Sequence, residues 1–211
     1  MDVRDEAADL RGKHVSPVRM LVDALEAKDP FLRLHSDQVS RYVAAVAEEL
    51  GFGARERDQL ALASLLHDVG KIGISAQILL KPGPLTAEER AVVEEHPRIG
   101  HRIVCALPAL RRAGPAVLHH HERFDGDGYP AGLCGEEIPL AARLVCVADC
   151  FSAMTSERPY CAPMSVEDAC AELERCAGGQ FDPRIARLFV AKVRSGGRFE
   201  RPLEFRARRA G

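Results

Sequence analysis

Histidines and carboxylates recur along this chain at positions suited to metal chemistry: His35, the pair His67-Asp68, His96, the run His119-His120-His121, and Asp149. Imidazole and carboxylate sets of this kind suit iron, manganese or zinc, and a carboxylate bridges two ions where a neutral imidazole does not. Asp68 is the natural bridge. Consecutive helical residues are rotated by about 100°, so three imidazoles in a row cannot all face one ion. His67 and Lys71 stand at i and i+4, which places imidazole and ammonium on one helical face, with Gly70 permitting close approach between them. A cation held beside a metal centre points to an anionic substrate.

The elements that must position these groups read as helices. Val39, Val43, Val46 and Leu50 repeat at helical spacing until Gly51, and Leu60 to His67 continues a second helix. Thr86-Ala87-Glu88-Glu89 has the arrangement of a capping box and starts a third helix running toward His96. A further helix is predicted from about Pro108 to His121, and Leu140 to Met154 is apolar enough to be buried on most faces. Ser16-Pro17, Ser165 and Asp182-Pro183 have the residue types that open helices. No segment alternates as a strand does, so the fold class reads as all-α. Two loops interrupt the pattern, Lys81 to Leu85 and the glycine-punctuated stretch Glu122 to Pro139, where backbone turns sharply or approaches something closely. The organisation expected is an N-terminal segment at 1–15, one domain at 16–196 and a basic C-terminal tail at 197–211.

Composition sets outer bounds. With 211 residues, 46% hydrophobic and 28% charged, the chain is long enough for a sizeable core. A net charge of −2 gives no general attraction to nucleic acid or anionic lipid. No stretch approaches the roughly 20 apolar residues of a membrane span. Seven cysteines without a C-x-x-C pair read as reduced thiols, and the expected location is the cytoplasm. Cys146 and Cys150 share a helix face as small buried side chains, and His101 lies roughly 140° around the helix from His96 and points elsewhere.

LLHDVGKIGI (65 to 74) and HHERFDGDGYP (120 to 130) resemble the signatures of the HD-GYP family, the HD-domain phosphohydrolases associated with cyclic di-GMP. The resemblance extends to DPFLRLHSDQVSRY around His35, KPGPLTAEE, EEHPRIG around His96, ARLVCVADCFSAMTSERPY around Asp149, and GGQFDP at 178 to 183. It implies an HD-domain helical bundle with a Gly-rich GYP loop. It also implies that His35, His67, Asp68 and Asp149 hold one divalent ion and His96, His120 and His121 a second, with Asp68 shared. Iron or manganese is expected first, with zinc, nickel or magnesium also compatible. A water or hydroxide bridging the ions would be acidic enough to attack phosphorus near neutral pH, while the ions neutralise phosphodiester oxygens. Lys71 would bind the scissile phosphate and stabilise the transition state, and Asp68 would also orient the nucleophile. Gly128, Tyr129 and Pro130 would line the substrate groove and offer a surface to a diguanylate cyclase (GGDEF) or adaptor partner. Arg158 matches a position that reaches ligand phosphate or guanine, and His119 is left as a neighbour of the site.

The chain departs from the family pattern at three places. Ser152 stands where many members carry an aspartate open to ligand, which predicts weaker guanine recognition. Cys161 and Ala162 follow Tyr160 where a basic residue is common. Phe31, four residues before His35, stands where three-metal members carry glutamate, so two ions are expected. The implied activity is hydrolysis of cyclic di-GMP to linear pGpG, GMP or both. The departures keep two other readings open: a cyclic di-GMP receptor that turns over poorly, and a phosphohydrolase acting on another nucleotide or phosphoester.

Overall fold

Ten α-helices and three 3-10 turns carry the architecture of the described residues, which in this computed structural model are 17–28, 31–156 and 162–196. The segments expected at 1–15 and 197–211 lie outside them, as do Arg158, Cys161 and the side chain of Phe31. In chain order the helices are α1 (Pro17–Lys28), α2 (Phe31–Glu49), α3 (Ala54–Leu66), α4 (Ala76–Leu79) and α5 (Ala87–Val93). They continue with α6 (His96–Ala106), α7 (Gly114–His119), α8 (Leu140–Thr155), α9 (Val166–Arg175) and α10 (Pro183–Arg194). The 3-10 turns are Val69–Gly73, Pro108–Ala113 and Gly135–Glu137. Apart from one bridge between Ala177 and Phe181, no extended pairing forms among the described residues. None of their helices is long and apolar enough to cross a membrane.

Two hydrophobic clusters form. The stripe Val39, Val43 and Val46 of α2 meets Leu144, Val145 and Phe151 of α8, and α9 and α10 close that cluster with Leu173, Ile185 and Phe189. A second cluster joins Val18 of α1, Leu66 of α3, Val104 of α6 and Val117 of α7 with Val69 and Leu110 of the 3-10 turns. Each fully buried Leu, Ile or Phe contributes on the order of 1.5–3 kcal/mol. Helix starts follow the local signals: Thr86 Oγ1 accepts Glu89 N–H at 3.2 Å while Glu89 Oε2 accepts Thr86 N–H at 2.8 Å, and Asp182 Oδ1 accepts Arg184 N–H at 2.8 Å. Gly51 ends α2 with φ +81°, a left-handed conformation that glycine adopts at little cost.

Three sequence expectations change. The helix expected to run from Thr86 to His96 breaks after Val93, and α6 begins at His96 with Pro97 in its first turn, where a missing N–H is harmless. The helix expected over 108 to 121 divides into the 3-10 turn and α7, again with a proline in the first turn of each, and α7 ends before His120 and His121. Most consequentially, α3 stops at Leu66, and His67-Asp68 lead into the 3-10 turn, so His67 and Lys71 do not share an α-helical face. Gly70 permits close approach, but to α6 rather than between His67 and Lys71. A Cβ there would collide with the His96 carbonyl and lie 2.5 Å from Gly100 N.

Candidate metal centre

The candidate site draws on elements that also build both hydrophobic clusters. α2 brings His35 and α8 brings Asp149; the turn after α3 brings His67 and Asp68, α6 opens with His96, and the turn after α7 brings His120 and His121. Two ligand groups result, Asp68 with His96, His120 and His121, and Asp68 with His35 and His67; in each, one donor atom per residue lies within 4.8 Å of all the others. Asp149 adjoins the second group, with Oδ1 2.8 Å from His35 Nε2 and 3.9 Å from His67 Nε2.

Hydrogen bonding decides which ring nitrogens are available. Nδ1 of His67 donates to Ser64 O at 2.6 Å, Nδ1 of His96 to Val93 O at 2.7 Å, and Nδ1 of His120 to Val117 O at 2.8 Å. A carbonyl only accepts, so Nδ1 carries the proton in all three neutral rings and Nε2 carries a lone pair. Those lone pairs converge: His96 Nε2 and His120 Nε2 are 3.2 Å apart, and Asp68 Oδ1 lies 3.3 Å from the first and 3.9 Å from the second. Two lone pairs facing each other repel unless a cation lies beside them. His67 Nε2 and Asp68 Oδ1 are buried without a hydrogen-bond partner, which costs about 1–3 kcal/mol or more per group. Converging imidazole lone pairs, a buried carboxylate and unsatisfied polar atoms fit divalent cations.

The electrostatics divide the site. Burial lowers the His67 pKa, but the Asp68 and Asp149 carboxylates outweigh it, leaving that imidazole above its ordinary value. Burial raises the Asp68 pKa, and the Lys71 ammonium and His67 more than reverse it, holding the carboxyl well below the usual range. Asp149 is likewise held low by His35 and His67 against burial. Burial, reinforced by neighbouring imidazoles, takes His120 well below the ordinary value, and burial lowers His121 to about 4. Lys71 Nζ donates to Asp68 Oδ2 at 2.6 Å and remains partly exposed, so the cation borders the carboxylate from the open side.

The loop after α7 closes the site. Tyr129 N–H donates to His121 O at 3.2 Å, and the phenol ring stacks on the His121 imidazole at 4.8 Å between centroids and 19° between planes. Pro130 follows through a cis peptide bond, and its carbonyl accepts Arg98 Nη2 at 2.9 Å. Gly128 presses on the loop's own backbone, where a Cβ would lie 2.5 Å from Glu122 Cα. The organiser is Glu122, a fully buried side chain whose carboxylate accepts the N–H groups of Ala131 (2.8 Å), Gly132 (3.0 Å) and Leu133 (3.2 Å). His119 Nδ1 reaches the same carboxylate at 3.3 Å and joins neither ligand group. The loop base is fastened to the α9–α10 turn by Phe124 N–H to Gln180 O at 3.2 Å and Asp125 N–H to Gly179 O at 2.9 Å.

The structure therefore brings together His35, His67, Asp68, Lys71, His96, His120, His121 and Asp149, and sets Tyr129 beside them. Sequence reasoning missed Glu122, whose partners lie nine to eleven residues downstream, and Gln38, a polar side chain one turn after His35 on α2. It read Ser152 only as a lost ligand carboxylate and gave the hydroxyl no partner; the structure buries it completely, against His35 and Gln38.

A family model described as HD domain matches residues 19–185. A cyclic di-GMP phosphodiesterase of Thermotoga maritima is 41% identical over 167 residues, 78% of this chain and 45% of its own length. The cyclic di-GMP phosphodiesterase response regulator RpfG of Xanthomonas campestris pv. campestris is 42% identical over 78% of this chain and 44% of its own. A 3'3'-cGAMP-specific phosphodiesterase 3 of Vibrio cholerae is 38% identical over 75% of this chain and 35% of its own. This chain thus spans less than half the length of these curated relatives. Among solved structures, the cyclic GMP-AMP specific phosphodiesterase V-cGAP3 of V. cholerae superposes with TM-score 0.63 at 21% identity, over 85% of this chain and 48% of that one. The PgpH HD domain of L. monocytogenes in complex with cyclic-di-AMP gives 0.58 at 15%, over 87% and 99%; at these identities the likeness speaks for the fold.

Proposed function

The chain belongs to the HD domain family, in its HD-GYP group, and from that premise we propose that it is a metal-dependent phosphodiesterase hydrolysing cyclic di-GMP to linear pGpG, GMP or both. The observation that carries the reading is Asp68, a carboxylate common to two convergent ligand groups with an ammonium 2.6 Å away. His35, His67, Asp68 and Asp149 would hold one divalent ion and His96, His120, His121 and Asp68 the other. Iron or manganese suits this set best, and zinc, nickel or magnesium is compatible with it. When bound, the cations supply a water acidified for attack on phosphorus and neutralise the phosphodiester oxygens.

The chain's own residues do the rest. Imidazoles whose Nδ1 is already committed hold their Nε2 lone pairs in place before substrate arrives, so little reorganisation is left for the reaction. Asp68 orients the nucleophile, and Lys71 offers its remaining N–H groups to the scissile phosphate from the open side. Gly128, Tyr129 and Pro130 line the groove, with the Tyr129 ring fixing the plane of His121. The loop's outer surface is the place for a diguanylate cyclase or adaptor partner, Arg158 adds a ligand contact, and residues 16–196 form the catalytic domain. A cytoplasmic location goes with this reading, since the described cysteines are free thiols.

A second reading is favoured by Ser152, whose hydroxyl is turned inward and leaves a base of the ligand without that contact. The protein is then a weakly active cyclic di-GMP receptor, or acts on another cyclic dinucleotide or phosphoester. The test incubates metal-loaded protein, under reducing conditions with iron or manganese confirmed bound, with cyclic di-GMP, 3'3'-cGAMP and other phosphoesters. Formation of pGpG or GMP above a metal-free control supports the first reading. No cyclic di-GMP product while the ions are bound overturns it, and calorimetry with the same nucleotides then separates receptor from alternative hydrolase.

A further inference from the structure

His67, His96 and His120 have their tautomers set by backbone carbonyls in their own preceding turns, whereas His35 is held across the molecule. Its Nδ1 lies 2.9 Å from Ser152 Oγ on α8, 117 residues away. A hydroxyl both donates and accepts, so it cannot by itself decide which imidazole nitrogen carries the proton. The next group decides. Ser152 Oγ donates to Gln38 Oε1 at 3.0 Å, and that oxygen also accepts Ser156 Oγ at 3.0 Å.

We propose that Gln38 and Ser152 form a positioning relay for His35, which fixes its proton on Nδ1 and turns Nε2 toward a cation; the inference rests on the metal-centre reading above. With its single proton committed to Gln38, Ser152 has only lone pairs left for His35, and Nδ1 must donate. Nε2, 2.8 Å from Asp149 Oδ1, is then the nitrogen that shares a cation with that carboxylate; with no cation there, a proton bridges the two. Ser152 is completely buried, so bulk water does not replace it. Gln38 lies one turn after His35 on α2, and the relay leaves α2, crosses to α8 and returns. Orienting partners of this kind typically change metal affinity 10–100-fold when removed.

The test is manganese binding to the full chain, by equilibrium dialysis with elemental analysis, together with nitrogen NMR of the imidazoles in zinc-loaded protein. Gln38→Met removes the acceptor at similar length, and Gln38→Glu keeps it. Gln38→Met is expected to weaken the ion on the His35 side about 10–100-fold while the other ion stays within about twofold. Gln38→Glu should stay close to wild type, and Ser152→Ala should match Gln38→Met. Gln38 is half-buried, so its variants remain informative even where Ser152→Ala fails to fold. In the NMR experiment the wild-type His35 signal should be that of Nε2 coordination with a hydrogen-bonded Nδ1–H, and Gln38→Met should shift the Nδ1 resonance toward that of a weaker hydrogen bond while Gln38→Glu does not, which a purely structural role would not do. Two unchanged affinities in Gln38→Met, equal weakening of both ions, or a Gln38→Glu loss as large as that of Gln38→Met overturns the relay. Wild-type protein that binds two ions yet hydrolyses no cyclic dinucleotide overturns the proposed activity and leaves these comparisons intact.

Discussion

The two ligand groups of the candidate metal centre share Asp68 and are built by opposite means. His35, His67 and Asp149 come from α2, the turn after α3 and α8, their imidazoles stand against carboxylates, and His67 is drawn toward its protonated form. His96, His120 and His121 come from α6 and the turn after α7, and burial keeps His120 and His121 neutral. One half depends on long-range contact and charge, and there a proton competes with a cation at higher pH than in the other. The other is set by turns of backbone and already presents bare lone pairs. Local chain geometry and tertiary assembly thus supply equivalent ligands with different sensitivities.

Asp68→Ala strikes both halves at once. It should remove both ions and lower hydrolysis by at least about 10³-fold, on the order expected when a central charged group of a site is lost. Elemental analysis of the variant is the first readout, and retention of either ion would mean that the halves do not depend on their shared carboxylate. His35→Ala and His120→Ala should each take stoichiometry from two ions to one; losing both from either variant would make the halves a single cooperative unit. Lys71→Ala should touch neither half, keeping both ions while turnover falls about 10²–10³-fold. Metal loss equal to that of Asp68→Ala would contradict the phosphate-binding role proposed for it.

Acid should separate the halves. The His67 pKa is raised, so the proton competes with a cation there once pH falls through that raised value, whereas His121 stays unprotonated until pH nears about 4. Lowering pH from about 7.5 to about 5.5 should release the His35-side ion first, by up to tenfold in affinity per pH unit. Calorimetric titration across that range, with the other ion lost first, would reverse the assignment. For the metal-free fold the signs differ. The stabilisation from His67 is present at low pH and lost as pH rises through its raised pKa. That tied to His120 and His121, whose values are depressed, is lost as pH falls below the ordinary 6.5. Melting of chelated protein should therefore fall from about pH 6.5 toward 4.5. The smallest effect belongs to His119→Ala, which should keep both ions and cost about 0.5–1.5 kcal/mol through its lost contact with Glu122.

The sequence made legible what a single turn of chain decides. The Val39, Val43 and Val46 stripe and the starts at Thr86, Ser165 and Asp182 depend on neighbours within four residues, and they stand where periodicity and capping chemistry put them. The break after Leu66 and the turn through Lys71 were hidden, because they serve the docking of Gly70 against His96 and Gly100, about thirty residues on. The candidate ligands announced themselves by type. Their orienting partners did not, since the carbonyls of Ser64, Val93 and Val117 exist whatever side chain those positions carry. Gln38 left one faint mark, a polar residue in helical register with His35. Glu122 left only its charge beside a glycine-rich loop.

The stacking of Tyr129 on His121 has an optical consequence. The chain has three tyrosines and no tryptophan, so its ultraviolet emission is phenolic, and one emitter lies face to face with an imidazole of the His96 half. Iron or manganese settling beside His121 should quench that ring. An ion lodged only on the His35 half, farther from the phenol, should dim it less. The protein thus carries its own gauge of which half is filled, readable without a label.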